Sequence, residues 1–202
     1  FLTAGLFGVS VLGAQAPLST FARTDPAVYG YGLGTTGFAT SLIIGIYLIA
    51  MITGALLFPV IARVTTPRVT LMGASVLVGV GFLLFLPFHD TYLQVIVNMV
   101  IAGLGSGALV AALPAAAASA APSTQTGVAT GLTNSVKTVG GAIASCVFGI
   151  ALLGGVAGAA GGAEGTAGSL AGYMTVWIVC GVTALASAVL LAFVPKQAFT
   201  DV

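Results

Sequence analysis

Residues 91–118 read TYLQVIVNMVIAGLGSGALVAALPAAAA, with no charged side chain anywhere in the run. A hydrocarbon core of about 30 Å is crossed by about 20 helical residues, so this stretch is long enough to span a bilayer. Five others share its character, at 1–22, 35–61, 69–88, 125–153 and 171–194. Together they predict an all-α polytopic membrane protein, with residues 1–202 forming one bundle of six transmembrane helices.

Composition points the same way. Charged residues make up 4% of the 202 and hydrophobic ones 58%, whereas soluble domains carry about 25% charged residues. The 29 glycines suit helices whose backbones pack closely in lipid. A formal charge of +1 with no basic patch gives nucleic acid nothing to bind. Cys146 and Cys180 lie in separate spans without a metal-ligand spacing and read as small core residues. The chain opens at Phe1 inside an apolar span, which reads as a piece of a longer protein.

Loop charges set an orientation. Arg63, Arg68 and Lys196 share one side, while Arg23, Asp25, Asp90 and Glu164 lie on the other. The positive-inside rule places the Arg63–Arg68 loop and the C-terminus in the cytoplasm of a cell-membrane protein. The 154–170 connection is Gly/Ala-rich and reads as an external flexible linker.

Function has to be sought in the few polar groups that lipid penalises. Gln15, Tyr47, Gln94, Asn98, Asn134 and Lys137 fall in spans 1, 2, 4 and 5. Spans 3 and 6 hold little beyond Ser75 and a few hydroxyls, with Tyr173 and Trp177 suited to an interfacial belt. Spans 3 and 6 are therefore expected on the lipid-facing periphery, with spans 1 and 4 lining a cavity whose candidate polar groups are Gln15, Gln94, Asn98 and Tyr47. Pro17 and Pro114 sit late in spans 1 and 4. Matching interruptions in successive triplets mark the midplane sites of inverted-repeat transporters, although a proline kink used for packing fits too. Gly103 with Gly107, and Gly127 with Gly131, are spaced for close helix contact. Asn134, Lys137 and Gly141 share one helix face (i, i+3, i+7). Lys137 would lie about 20 Å along span 5 at about 1.5 Å per residue. It either snorkels to headgroups or faces a cavity or a partner half.

No Asp or Glu lies within a span, and the sole histidine, His89, sits at a span end. Ser106 therefore has no intramembrane base to activate it, which argues against catalysis and against an enzyme. No metal or cofactor is expected, and proton-coupling groups would have to lie outside this stretch.

The run Gly127 to Ala142, GVATGLTNSVKTVGGA, resembles a segment of the major facilitator superfamily, the penultimate helix of fourteen-span drug:proton antiporters of the QacA/EmrB type. Ala111-Ala112-Leu113-Pro114 is similar to the end of the preceding helix. Pro59 to Arg68 resembles the second copy of the family's cytoplasmic loop motif, with Arg63 and Arg68 as its basic residues. Three positions depart from the pattern. Ala62 stands where an aspartate usually precedes the loop arginine, Thr65-Thr66 replace a glycine-containing turn, and Lys137 replaces the commoner arginine. The resemblance implies the C-terminal six-helix half of such a transporter, built as 3+3 inverted repeats. It puts spans 1 and 4 on the cavity and spans 2 and 5, with Asn134, Lys137 and Gly141, against the N-terminal half.

The expected activity is proton-driven export of hydrophobic or amphipathic compounds by alternating access, with membrane lipids around the protein and the N-terminal half as its partner. Lipid transport by the same fold is the alternative. A six-span substrate-binding subunit of an importer is the alternative of a different class.

Overall fold

The structure, a computed structural model, describes residues 1–154 and 168–193. Most of the 154–170 linker, with Glu164, and the terminal Lys196 lie outside the described residues. The described elements are all helical: α1 (Leu2–Leu12), α2 (Gln15–Arg23), α3 (Pro26–Tyr29), α4 (Gly37–Val64), α5 (Pro67–Leu83), α6 (Tyr92–Ser119), α7 (Thr126–Gly154) and α8 (Leu170–Phe193). Counting α1 and α2 as one, five are long and apolar enough to cross a membrane, and α5 is a shorter apolar helix of 17 residues. The chain is thus a multi-pass membrane protein of α-helices.

Helix starts follow local chemistry. Thr36, Thr66 and Thr91 each take an orphan backbone N–H of the first turn onto the side-chain oxygen. Pro67 follows Thr66 at the position where a missing N–H costs nothing. Within the spans, hydroxyls donate back to the carbonyl four residues earlier, as Ser106 does to Ala102 at 2.7 Å and Thr133 to Ala129 at 2.8 Å. Lipid offers no other partner, so these bonds satisfy the groups inside their own helix.

Packing skips sequence neighbours. The most extensive contacts join α4 to α6, α1 to α7, α5 to α8 and α5 to α6, followed by α1 to α8, whereas α4 touches α5 only slightly. Glycine makes the closest approaches possible. A Cβ on Gly8 would run into the Lys137 carbonyl, one on Gly54 into that of Leu104, and one on Gly107 into that of Met51. Gly79 and Gly181 face each other across α5 and α8, where a Cβ on either would stand 3.1–3.2 Å from the other's carbonyl oxygen.

Several expectations need correction. Span 1 is interrupted at Gly13–Ala14, between α1 and α2. Pro17 has no N–H to give the Gly13 carbonyl, and the ladder resumes with Leu18 donating to Ala14 at 3.0 Å. Its expected counterpart is no interruption, because α6 runs continuously through Pro114. Span 3 begins earlier and stops sooner than 69–88, since Thr66 and Pro67 launch it and turns replace helix from Leu84.

Helices α5 and α8 pack face to face, while α4 and α7 bury the smallest share of their surface. Tyr173 and Trp177 form no interfacial belt. Both are fully buried, because α8 carries them against Phe21 and Phe85, with ring centroids 4.8–5.4 Å apart for three of those pairs. Gly127 and Gly131 make no close contact, since a Cβ on either would meet nothing within 4 Å.

Candidate functional site

The break in the first span shapes a cavity. Where α1 gives way to α2, Val11, Ala14, Gln15 and Leu18 wall one side and Ile44, Tyr47 and Leu48 of α4 the other. Phe82 of α5 and Met99 of α6 close the back, enclosing about 230 Å³. Gln15 is exposed, in the first turn after the break, and Tyr47 is buried. Every other lining group is aliphatic, aromatic or thioether. Such a pocket can hold an apolar or amphipathic body and hydrogen-bond it at one amide and one phenol, with no charge for it to neutralise.

Two of the four expected cavity residues therefore meet, and two do not. Gln94 closes the capping box of α6: its Oε1 accepts from the Thr91 N–H at 3.2 Å while Thr91 Oγ1 accepts from the Gln94 N–H. Asn98 is 2% exposed and donates from Nδ2 to the Phe88 carbonyl at 2.8 Å, pinning the turn between α5 and α6. Both amides serve helix ends, where unmet backbone groups draw in polar side chains, and neither is among the residues lining the pocket.

The candidates for gating or contact between halves are scattered. Pro17 is buried at the break and Pro114 half-buried in α6. Lys137 donates to Asn134 Oδ1 at 3.0 Å on the open side of α7. Gly141 is instead buried, with a Cβ there meeting Leu12 of α1. The three residues thus part company: the amide and ammonium remain outside while the glycine admits α1.

The two loop arginines differ as well. Arg63 is exposed on the last turn of α4, where a cation complements the helix dipole. Arg68 reaches across to α8, donating from Nε to the Leu191 carbonyl at 3.1 Å and from Nη2 to that of Ala192. Sequence reasoning missed this cap. A basic residue in the first turn of a helix is unfavourable there, which was a signal of a partner elsewhere.

An aromatic strap also went unforeseen. Asp25 caps α3 by accepting from the Ala27 N–H at 2.9 Å, and Gly30 (φ 73°) turns the chain back. Tyr31 then donates to the Gly168 carbonyl at the start of α8. His89 packs on Phe21 and Trp177 beneath this strap, with Nε2 3.5 Å from Asp90 Oδ1.

No family model and no curated protein matches the sequence. Among solved structures, the chain is similar to the partially occluded, inward-open conformation of the xylose transporter XylE from E. coli. The TM-score is 0.67 at 22% identity, over 96% of this chain. The likeness shows that the two share a fold over this length. The chain spans less than half of the xylose transporter, 46% of its length.

Proposed function

We propose that residues 1–202 form the C-terminal six-helix half of a secondary transporter that exports hydrophobic or amphipathic compounds by proton-coupled alternating access, as in drug:proton antiporters. The observation that carries this reading is the uncharged, largely apolar cavity at the break of the first span, with Gln15 and Tyr47 as its polar groups. A pentose asks for a hydrogen-bond partner at nearly every carbon, and leaving hydroxyls unmatched in such a lining costs about 1–3 kcal/mol each. A drug-like apolar body does not meet that penalty.

A two-triplet design is supported by the packing pattern. Exchanging α1–α2, α4 and α5 for α6, α7 and α8 turns the α1–α7 pair into α6–α4, and the α5–α6 pair into α8–α1. That is the relation expected of 3+3 inverted repeats. In this reading the open faces of α4 and α7 meet the N-terminal half, which supplies the proton-coupling groups, and the Arg63–Arg68 turn and the C-terminus lie in the cytoplasm of the cell membrane.

The test is efflux from vesicles containing the full transporter. Gln15→Leu and Tyr47→Phe should each change the ranking of substrates while protein abundance holds. Gln94→Leu should leave the ranking intact. Uniform loss for every compound, tracking expression, would refute the cavity assignment.

A further inference from the structure

Ser106 of α6 does not line the cavity, yet it is fully buried beside one of the two polar groups that do. A glycine makes the contact possible. A Cβ on Gly103 would stand 2.9 Å from the Tyr47 carbonyl oxygen and 3.2 Å from the Tyr47 ring, so its absence lets α4 lay Tyr47 against the α6 backbone. Three residues further along α6, the Ser106 hydroxyl is the hydrogen-bonding neighbour of the Tyr47 phenol.

Hydrogen counting then fixes the direction of that bond. A serine hydroxyl holds one hydrogen and accepts at its lone pairs. Ser106 gives that hydrogen to the Ala102 carbonyl at 2.7 Å, so toward Tyr47 it can only accept. The phenol in turn holds a single hydrogen, and Ser106 takes it. What Tyr47 turns to the cavity is therefore an oxygen lone pair. Each donation along such a chain makes the donating oxygen a better acceptor, and the low dielectric of a protein interior strengthens the effect.

We propose that Ser106 sets the specificity of the cavity by holding Tyr47 as an acceptor, so that the preferred apolar compounds bear a hydrogen-bond donor, an O–H or N–H. Gln15 offers both a carbonyl and an amide N–H and does not discriminate. A compound with only an ether oxygen sets its lone pairs against those of Tyr47 and leaves both unpaired. The inference rests on the transport cavity proposed above, and Ser106 is a positioning residue that acts through Tyr47.

The experiment measures transport of matched pairs, uncharged aryl alcohols and their methyl ethers, in vesicles containing the full transporter. Methylation removes the donor and keeps the acceptor. After correction for partition into lipid, the wild type should take the alcohol with a KM about five- to tenfold below that of the ether. Tyr47→Phe should erase the preference by raising the KM of the alcohol. Ser106→Ala frees the phenol hydrogen to turn into the cavity. It should erase the preference by the opposite route, lowering the KM of the ether while that of the alcohol holds. An unchanged melting temperature establishes that the alanine variant folds. Equal weakening of both compounds in Ser106→Ala would make Ser106 a packing residue and overturn the inference. A wild type without preference, or a Ser106→Ala variant that keeps it, would overturn it too. If Gln15→Leu and Tyr47→Phe still reorder substrates in that event, the cavity stands and only the role of Ser106 falls. If neither changes any ranking, the cavity reading fails and the inference fails with it.

Discussion

Lys137 carries the one charge well inside a span, and its ammonium is held by Asn134 on the same helix. If that pair faces the partner half, Lys137→Ala should impair efflux and Lys137→Arg should largely preserve it, with proton flux retained in both. Wild-type efflux from the alanine variant would reduce Lys137 to a headgroup anchor. Tyr31 illustrates the opposite kind of residue, a tether. Burial, then its neighbours Tyr173 and Tyr29, raises its hydroxyl above the usual 10, so its bond to Gly168 survives to higher pH than a free phenol's proton would. A group raised in this way stabilises fully below about 10 and loses its contribution as pH climbs through the folded value. Tyr31→Phe should cost about 0.5–1.5 kcal/mol at neutral pH, read as a lower melting temperature that no longer falls more steeply above pH 10 on this group's account. An unchanged melting temperature would show that the strap is idle.

At the scale of elements, similar sequence signals meet different fates. Pro17 breaks its helix, whereas α6 runs through Pro114 and α4 through Pro59. Each proline removes one backbone donor, and tertiary neighbours decide whether the helix stops or carries on. Pro17→Ala would restore a donor for the Gly13 carbonyl and fuse α1 with α2. Amide exchange at residues 13–17 should then slow and efflux should fall. Rapid exchange in the variant would show that another constraint holds the break. Glycine pairs behave likewise. Gly107 faces the Met51 backbone while Gly127 faces open space, though both were read from the same four-residue spacing. Gly107→Leu should destabilise by about 1–3 kcal/mol or more through overpacking, and Gly127→Leu by much less. Comparable losses in thermal unfolding would contradict the α4–α6 contact.

For the whole molecule, the bundle buries one face of each helix and leaves broad apolar surfaces on α4 and α7. Cys146 on α7 is exposed and Cys180 on α8 is buried. A maleimide applied in mild detergent should therefore label the first quickly and the second only on unfolding. Equal labelling would mean that α8 is not enclosed as described. The α8 helix is held at both ends by groups distant in the chain, Tyr31 at its start and Arg68 of α5 at its finish. Arg68→Ala should lower the melting temperature without altering which compounds are exported. A changed substrate ranking would place Arg68 in the transport path.

The membrane-spanning helical class could be read in the sequence because hydrocarbon imposes one rule on every residue it touches, and composition alone reports obedience to it. Gln15 and Tyr47 stood out for the same reason, as polar groups that lipid penalises. That reasoning ranked Gln94 and Asn98 equally, since rarity in a span cannot tell a side chain facing a cavity from one closing a helix end. The Thr91–Gln94 capping box is a local signature that sets Gln94 apart, whereas only the tertiary structure turned Asn98 to the Phe88 carbonyl. It also turned Tyr173 and Trp177 inward and broke the first span four residues before Pro17. Each of these outcomes depends on which helix lies alongside. Between helices of similar hydrophobicity that choice is set by close packing and hydrogen bonds rather than by any preference written in a single span.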